Sequence, residues 1–338
     1  AAGAYFLAYG RMQPIWGILS TRIGLATTMT WSIVVGSAAT VASALAQDVT
    51  TLTILRAIAG GFFAAAFPAA LIYVGATTTP LRRQRDVTEL MTGVALGTAL
   101  STVIAGSITY FIGWRWMFLF SGVLCLLSTL YVARLAELPR MPFRAPLIAP
   151  LRRVLSNRMV YGLLVLALLD GLAILGALTF LPTAVESTGR NAATAAAVTA
   201  TYGLAVLFAA RRVGRLSHRV AASRFILFGA LVGAVACGVL AISVSLVAAV
   251  LACALLGVAW ASMHSSLQTW ATEITPDERG LTVLVFSGSL CAGSALAAGL
   301  GGPLAGKHDF TSLFGAAALV LGSIGISVYS ARARWEYP

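Results

Sequence analysis

The amino-acid sequence predicts an all-α membrane protein arranged as two bundles of helices. Of its 338 residues, 59% are hydrophobic and only 10% are charged, against about 45–50% and about 25% in a soluble domain. Mean hydropathy is +0.90. The apolar residues fall in blocks of roughly 20, the length that crosses a bilayer as a helix.

Eleven such blocks follow one another, over residues 2–20, 25–47, 51–76, 88–112, 115–135, 158–183, 192–210, 225–245, 247–271, 280–302 and 311–331. The two that meet near Ser245 are joined with almost no polar linker. Positive charge gathers between blocks. Alternate gaps and the tail hold Arg22, Arg82, Arg83, Arg85, Arg134, Arg140, Arg144, Arg152, Arg153, Arg158, Arg211, Arg212, Arg215, Arg219, Arg224, Arg279, Arg332 and Arg334, eighteen in all; the other gaps hold only Arg115, Arg190 and Lys307. That asymmetry predicts that the first set and the C-terminus are cytoplasmic, in a multi-pass protein of the inner (cytoplasmic) membrane. An odd number of spans then puts Ala1 outside. The chain opens on Ala and enters a span at once, with neither the charged start nor the cleavage site of a signal peptide, so a further helix is expected upstream.

The longest polar stretch, roughly 134–158, contains Pro139, Pro142, Pro146 and Pro150. Proline at that density breaks helices and favours extended backbone. The expected division is an N-terminal bundle over 1–135, a cytoplasmic linker over 136–157 and a C-terminal bundle over 158–338. One upstream helix would make six spans on each side. The bundles echo each other: Gly17-Ile-Leu19-Ser-Thr-Arg22-Ile-Gly24 follows the first span, and Gly214-Arg-Leu-Ser-His-Arg219 stands at the matching place later, each expected in a tight cytoplasmic loop. Parallel repeats of this kind are a known transporter plan.

Several function classes are excluded. The net charge of +12 is spread over the gaps between spans, so no nucleic-acid partner is expected. Cys125, Cys237, Cys253 and Cys291 lie inside apolar blocks without metal-ligand spacing, and are expected as packing residues with no metal. There is no Walker, HExxH, GxSxG or paired-carboxylate motif. Neither an ATP-driven pump nor an enzyme is expected, and no cofactor.

These motifs resemble the major facilitator superfamily, from its second helix to its twelfth. The family loop G-x-L-a-D-R-x-G-R/K-R/K is matched at Gly17, Leu19, Arg22 and Gly24; Thr21 replaces the aspartate, and Leu25 and Ala26 replace the basic pair. The R-x-x-x-G of family helix 4 is matched by Arg56 and Gly60, and the W-R-W-x-F before family helix 6 by Trp114, Arg115, Trp116 and Phe118. The loop Pro276-Asp-Glu-Arg279-Gly280 is also typical. The Gly-Pro pair that drug–proton antiporters carry in family helix 5 is absent from Ser101–Gly106. The resemblance implies the major facilitator fold of two six-helix bundles, with eleven helices present here. It is closest to bacterial drug–proton antiporters, and implies a monomeric secondary transporter exchanging protons for small organic compounds by alternating access. The alternatives are an uptake symporter for a sugar or organic acid, and a transport-inactive product of a truncated gene.

A transporter needs a binding site near the midplane, and polar groups inside spans are the candidates. A central Asp or Arg costs about 2.5–3.5 kcal/mol to insert. Asp170 is the only carboxylate well inside a span, about 12 residues into it, or about 18 Å at 1.5 Å per residue. Burial and nearby cations move a carboxylate's affinity for protons in opposite directions, so Asp170 is a coupling candidate or, failing that, a structural group bonded between helices. Arg56 faces the cavity if the resemblance holds, and otherwise snorkels to the outer interface. Arg11 either acts in transport or bonds to the carbonyl freed by Pro14. His264 titrates in the useful range and stands among Ser265, Ser266 and Gln268; the alternative is a packing histidine. Trp260, one turn earlier, is a possible cavity wall or a packing ring. Gly93-x-x-x-Gly97 is expected as a helix contact face.

Overall fold

The structure is a computed structural model that describes residues 1–78, 80–138, 148–217, 219–275 and 278–336. These residues are almost entirely helical. α1 (Ala2–Ile23) passes to α2 (Leu25–Ser43) through Gly24 alone, whose φ of 102° lies in the region that glycine enters without strain. Asp48 caps α3 (Val49–Phe63), accepting from the Thr51 amide at 2.8 Å. A turn at Ala64–Ala65 separates α3 from α4 (Ala66–Thr77). α5 (Pro80–Phe111) and α6 (Trp114–Val132) follow, joined through Gly113 at φ 101°. Arg115 then clips the start of α6 to the end of α2 by donating to the Ala46 carbonyl at 3.2 Å.

α7 (Ile148–Ser156) precedes α8 (Arg158–Asp170), a π-helical turn (Gly171–Leu175) and α9 (Gly176–Glu186). α10 (Ala192–Leu216), capped by Asn191, and α11 (Ala222–Ile242) come next. Ser245 caps α12 (Leu246–Ala259), which passes through a second π turn (Trp260–His264) into α13 (Ser265–Glu273). α14 (Arg279–Gly306) and α15 (Phe310–Glu336) complete the chain.

All eleven predicted spans are helical. Among the described residues, nine helical stretches are long and apolar enough to cross a membrane. α1 carries Arg11 and Gln13, and the purely apolar part of α5 is Leu96–Phe111. Four expectations are corrected. First, Gly17, Leu19 and Gly214 lie inside α1 and α10 rather than in loops, because one glycine suffices for the α1–α2 turn. Second, α5, α10 and α15 run on past the apolar blocks into their arginine-rich ends; hydropathy marks where a helix meets water, not where it stops. Third, the linker is not all extended: α7 occupies Ile148–Ser156, with Pro150 in its first turn, where proline is tolerated. Pro139, Pro142, Pro146, Arg140 and Arg144 lie outside the described residues, as do His218, Pro276 and Asp277. Fourth, among the described residues nothing lies within 4 Å of where a Cβ would stand on Gly93 or Gly97, so the glycines of that stripe meet no helix there.

Packing repeats across the chain. α2 packs on α6 as α11 packs on α15; α1 packs on α3 as α10 packs on α12; α2 packs on α3 as α11 packs on α12. Two further pairs join the bundles: α1 with α14, and α5 with α10. Small residues make both approaches close. A side chain on Gly10 would meet the Gly288 carbonyl at 2.7 Å, and Gly106 lies against Ala192 and Ala196. The largest buried core belongs to the second bundle, with Leu163, Ile174, Leu256, Met263, Phe286 and Phe314 fully enclosed. The first bundle has a smaller one around Trp16, Ala64 and Ala65.

Candidate transport site

Two residues 94 apart in sequence meet inside the second bundle. Asp170 is the last residue of α8 before its π turn, and His264 is the last residue of the other π turn. The His264 Nδ1 and the Asp170 Oδ2 are 2.8 Å apart. A π turn places one extra residue in the coil, shifts the faces that follow it, and is frequent at functional sites. Asp170 is 0% exposed and His264 8%. The second carboxylate oxygen of Asp170, Oδ1, has no hydrogen-bond partner among the described residues.

Aromatic rings fix the imidazole. Trp260 stacks on His264 with centroids 3.7 Å apart and planes 11° from parallel. Phe286 of α14 meets it at 5.7 Å and 40°. Tyr202 of α10 is close enough to Asp170 to feel its charge. A buried acid–base pair is tolerated while both partners are present, and removing one of them is expensive.

The first bundle holds a different arrangement. The Arg56 guanidinium lies 4.7 Å from the Tyr5 ring centroid and 5.1 Å from that of Phe118. Its Nη1 donates to Thr40 Oγ1 at 3.4 Å. Among the described residues its charge is met by ring faces and a hydroxyl, not by a carboxylate. Tyr5 stacks on Tyr9 at 6.0 Å. The Trp16 indole donates to the Gly61 carbonyl at 2.7 Å, and Gln13 is buried with its Oε1 unpartnered.

The structure thus brings Asp170, His264 and Trp260 together. Gln268 stands half-buried one turn past His264. Arg56 stays in the other bundle, and Arg11 lies on an exposed face of α1, joined to neither cluster. Of the loop-motif residues, Gly17 faces Leu284 of α14 and Leu19 packs beside Trp16, whereas Arg22, Gly214 and Arg219 are exposed.

One contact has no counterpart in the sequence reading. Glu137, just beyond α6, caps the start of α2: its carboxylate accepts from the amides of Ala26 at 3.2 Å and Thr27 at 3.0 Å, and from the Thr27 hydroxyl at 2.9 Å. It sits where a side chain on Gly24 would stand. Burial alone would push this carboxyl up, but the hydrogen bonds from Thr27, Ala26 and Leu138 outweigh it and hold the group below the usual carboxylate range. The only forewarning was an isolated glutamate following a span, beside a loop motif that lacks its aspartate at Thr21.

Membrane-length helices in two similarly packed bundles define a multi-pass α-helical membrane protein. Comparison with known proteins agrees. The model of the Major Facilitator Superfamily matches residues 1–298 and 163–336. The chain belongs to that superfamily. It is 32% identical over 116 residues to the efflux pump apf11 of Gibberella fujikuroi, covering 34% of this chain and 20% of that protein. It is 32% identical over 135 residues to the uncharacterized MFS-type transporter EfpA of Mycobacterium tuberculosis (39% and 25% of the two chains). It is 28% identical over 124 residues to human sialin (36% and 25%). The matched stretches thus span a quarter or less of these relatives. The fold is that of a crystallised mutant of the nucleoside transporter NupG, with a TM-score of 0.81 at 12% identity over 98% of this chain and 90% of that one.

Proposed function

We propose that the chain is a proton-coupled exporter of small organic compounds, in which Asp170 and His264 together take up and release the coupling proton. The observation that carries this reading is their buried contact at 2.8 Å. A pair that is neutral with one proton and charged otherwise gives alternating access something to respond to. The likeness to a fungal efflux pump over part of the chain supports export. The reading includes a bundle over 1–135, a linker over 136–157 and a bundle over 158–338, with the arginine-rich gaps and the C-terminus in the cytoplasm of a cell with this protein in its inner membrane. Asp170, His264 and Trp260 form the coupling site, with Gln268 beside it, and Arg56 holds the first bundle around its aromatic rings. A second reading on the same fold is proton-driven uptake of a sugar or organic acid.

The test is flux in liposomes carrying an internal pH dye, challenged with a panel of lipophilic cations and sugars. Wild type is expected to exchange substrate for protons, and Asp170→Asn to lose that exchange. Protons moving with the substrate would favour uptake. Proton movement unchanged in the variant would reduce Asp170 to a structural group. No flux with any compound would favour a transport-inactive protein.

A further inference from the structure

α14 shows opposite faces to two neighbours. Leu284, Gly288, Cys291, Ala295 and Ala298 recur at spacings of four and three and meet α1. A side chain on Gly17 would meet Leu284 at 2.6 Å, one on Gly10 would meet the Gly288 carbonyl at 2.7 Å, and one on Gly3 would meet Ala298 at 3.3 Å. Phe286, Leu290, Gly293 and Ala297 follow these by two residues each, about 200° around the helix at 3.6 residues per turn. They face the proton-binding pair: Phe286 meets the His264 ring, the Leu290 carbonyl abuts Gly171 beside Asp170, Gly293 abuts the Leu168 carbonyl, and Ala297 fills the space at Gly176. At Gly171 and Gly293 backbone lies on backbone, with no side chain between to absorb a displacement.

We infer that α14 carries the charge state of the Asp170–His264 pair to the junction with α1, through Phe286, Gly288 and Gly293 acting as positioning residues. This rests on the proton-coupled reading. Packed interfaces switch between discrete arrangements rather than deforming smoothly. A change in how α8 and the His264 turn hold their charge therefore reaches α14 as a shift of the whole helix, and α14 bears directly on Gly10. Among the described residues, Tyr202 of α10 is the further titratable group near Asp170. Cys291 of α14 lies against Gly10 of α1.

The experiment compares the full-length protein at about pH 5 and about pH 8, the window in which histidine charge changes. It reads proton uptake with an indicator dye, and hydrogen exchange of the α1 amides corrected for the intrinsic pH dependence of exchange. In wild type, α1 protection around Gly10–Gly17 is expected to change with pH, and in Asp170→Asn both this change and the proton uptake are lost. Gly288→Ala is expected to keep the proton uptake, lose the change in α1 protection and lower proton-coupled flux by about tenfold, within the usual range of coupling between sites. Leu284→Ala, which removes the α14 side chain facing Gly17 of α1, gives the same pattern and replaces Gly288→Ala where that variant does not fold. Gly299→Ala, whose added Cβ meets nothing, behaves as wild type. Gly288→Ala and Leu284→Ala that retain the pH-dependent change in α1 overturn the inference and leave the coupling reading intact. Proton uptake unaltered by Asp170→Asn overturns the coupling reading, and the inference with it.

Discussion

The two bundles place a basic side chain in corresponding helices and surround it differently. Arg56 lies in α3 against α1 and α2; His264 lies between α12 and α13, against α10 and α11. Arg56 rests on ring faces and a hydroxyl, and a guanidinium does not give up its proton in proteins. His264 rests on a carboxylate and a stacked indole, and an imidazole can. On the proton-coupled reading, one repeat therefore holds a permanent charge and the other a proton-accepting pair. A repeated architecture can divide its labour this way because aromatic faces stabilise a cation without offering it anywhere to send a proton.

The sharpest way to break this comparison is to leave one member of the buried pair alone. His264→Ala strands the Asp170 carboxylate and is expected to cost about 3–5 kcal/mol, whereas replacing both partners costs far less. Thermal or denaturant unfolding of His264→Ala beside the double variant Asp170→Asn/His264→Gln measures it. Equal destabilisation would mean that the pair is not interdependent. Arg56→Leu removes two ring contacts and is expected to cost about 0.5–2 kcal/mol, without moving the pH profile of proton-coupled flux. A shifted profile would place a titrating role in the first bundle and end the contrast. The smallest effect is expected at Glu137, where Glu137→Gln weakens the cap on α2 by about 0.5–1 kcal/mol. Because the folded state holds Glu137 below the usual carboxylate range, its contribution is complete above that range and is lost as pH falls through the folded value. Stability of wild type minus Glu137→Gln should therefore shrink on acidification.

Much of this architecture is legible in the sequence, because lipid imposes a length on every apolar run and charge marks every gap. The site is less so. Asp170 stands out as a lone carboxylate in a span, but its partner lies 94 residues away, and the position of His264 along its own helix points nearer the membrane edge. Each residue stands at a π turn, and no residue pattern in Gly171–Leu175 or Trp260–His264 announces one. The glycines were similarly ambiguous. Gly93-x-x-x-Gly97 has the contact-face spacing yet touches nothing among the described residues, while Gly60, Gly106, Gly171 and Gly293 make some of the closest approaches. Spacing says that a helix could come near; it does not say which helix, or on which side.

The position of α14 between α1 and the proton-binding pair has a thermodynamic consequence. Energy that passes one way through a helix must be able to return by the same route, since linkage between two sites is reciprocal. If a proton on Asp170 and His264 weighs on the junction at Gly10, then anything that grips that junction, a bound compound or a change in the surrounding bilayer, weighs by the same factor on how tightly the pair holds its proton.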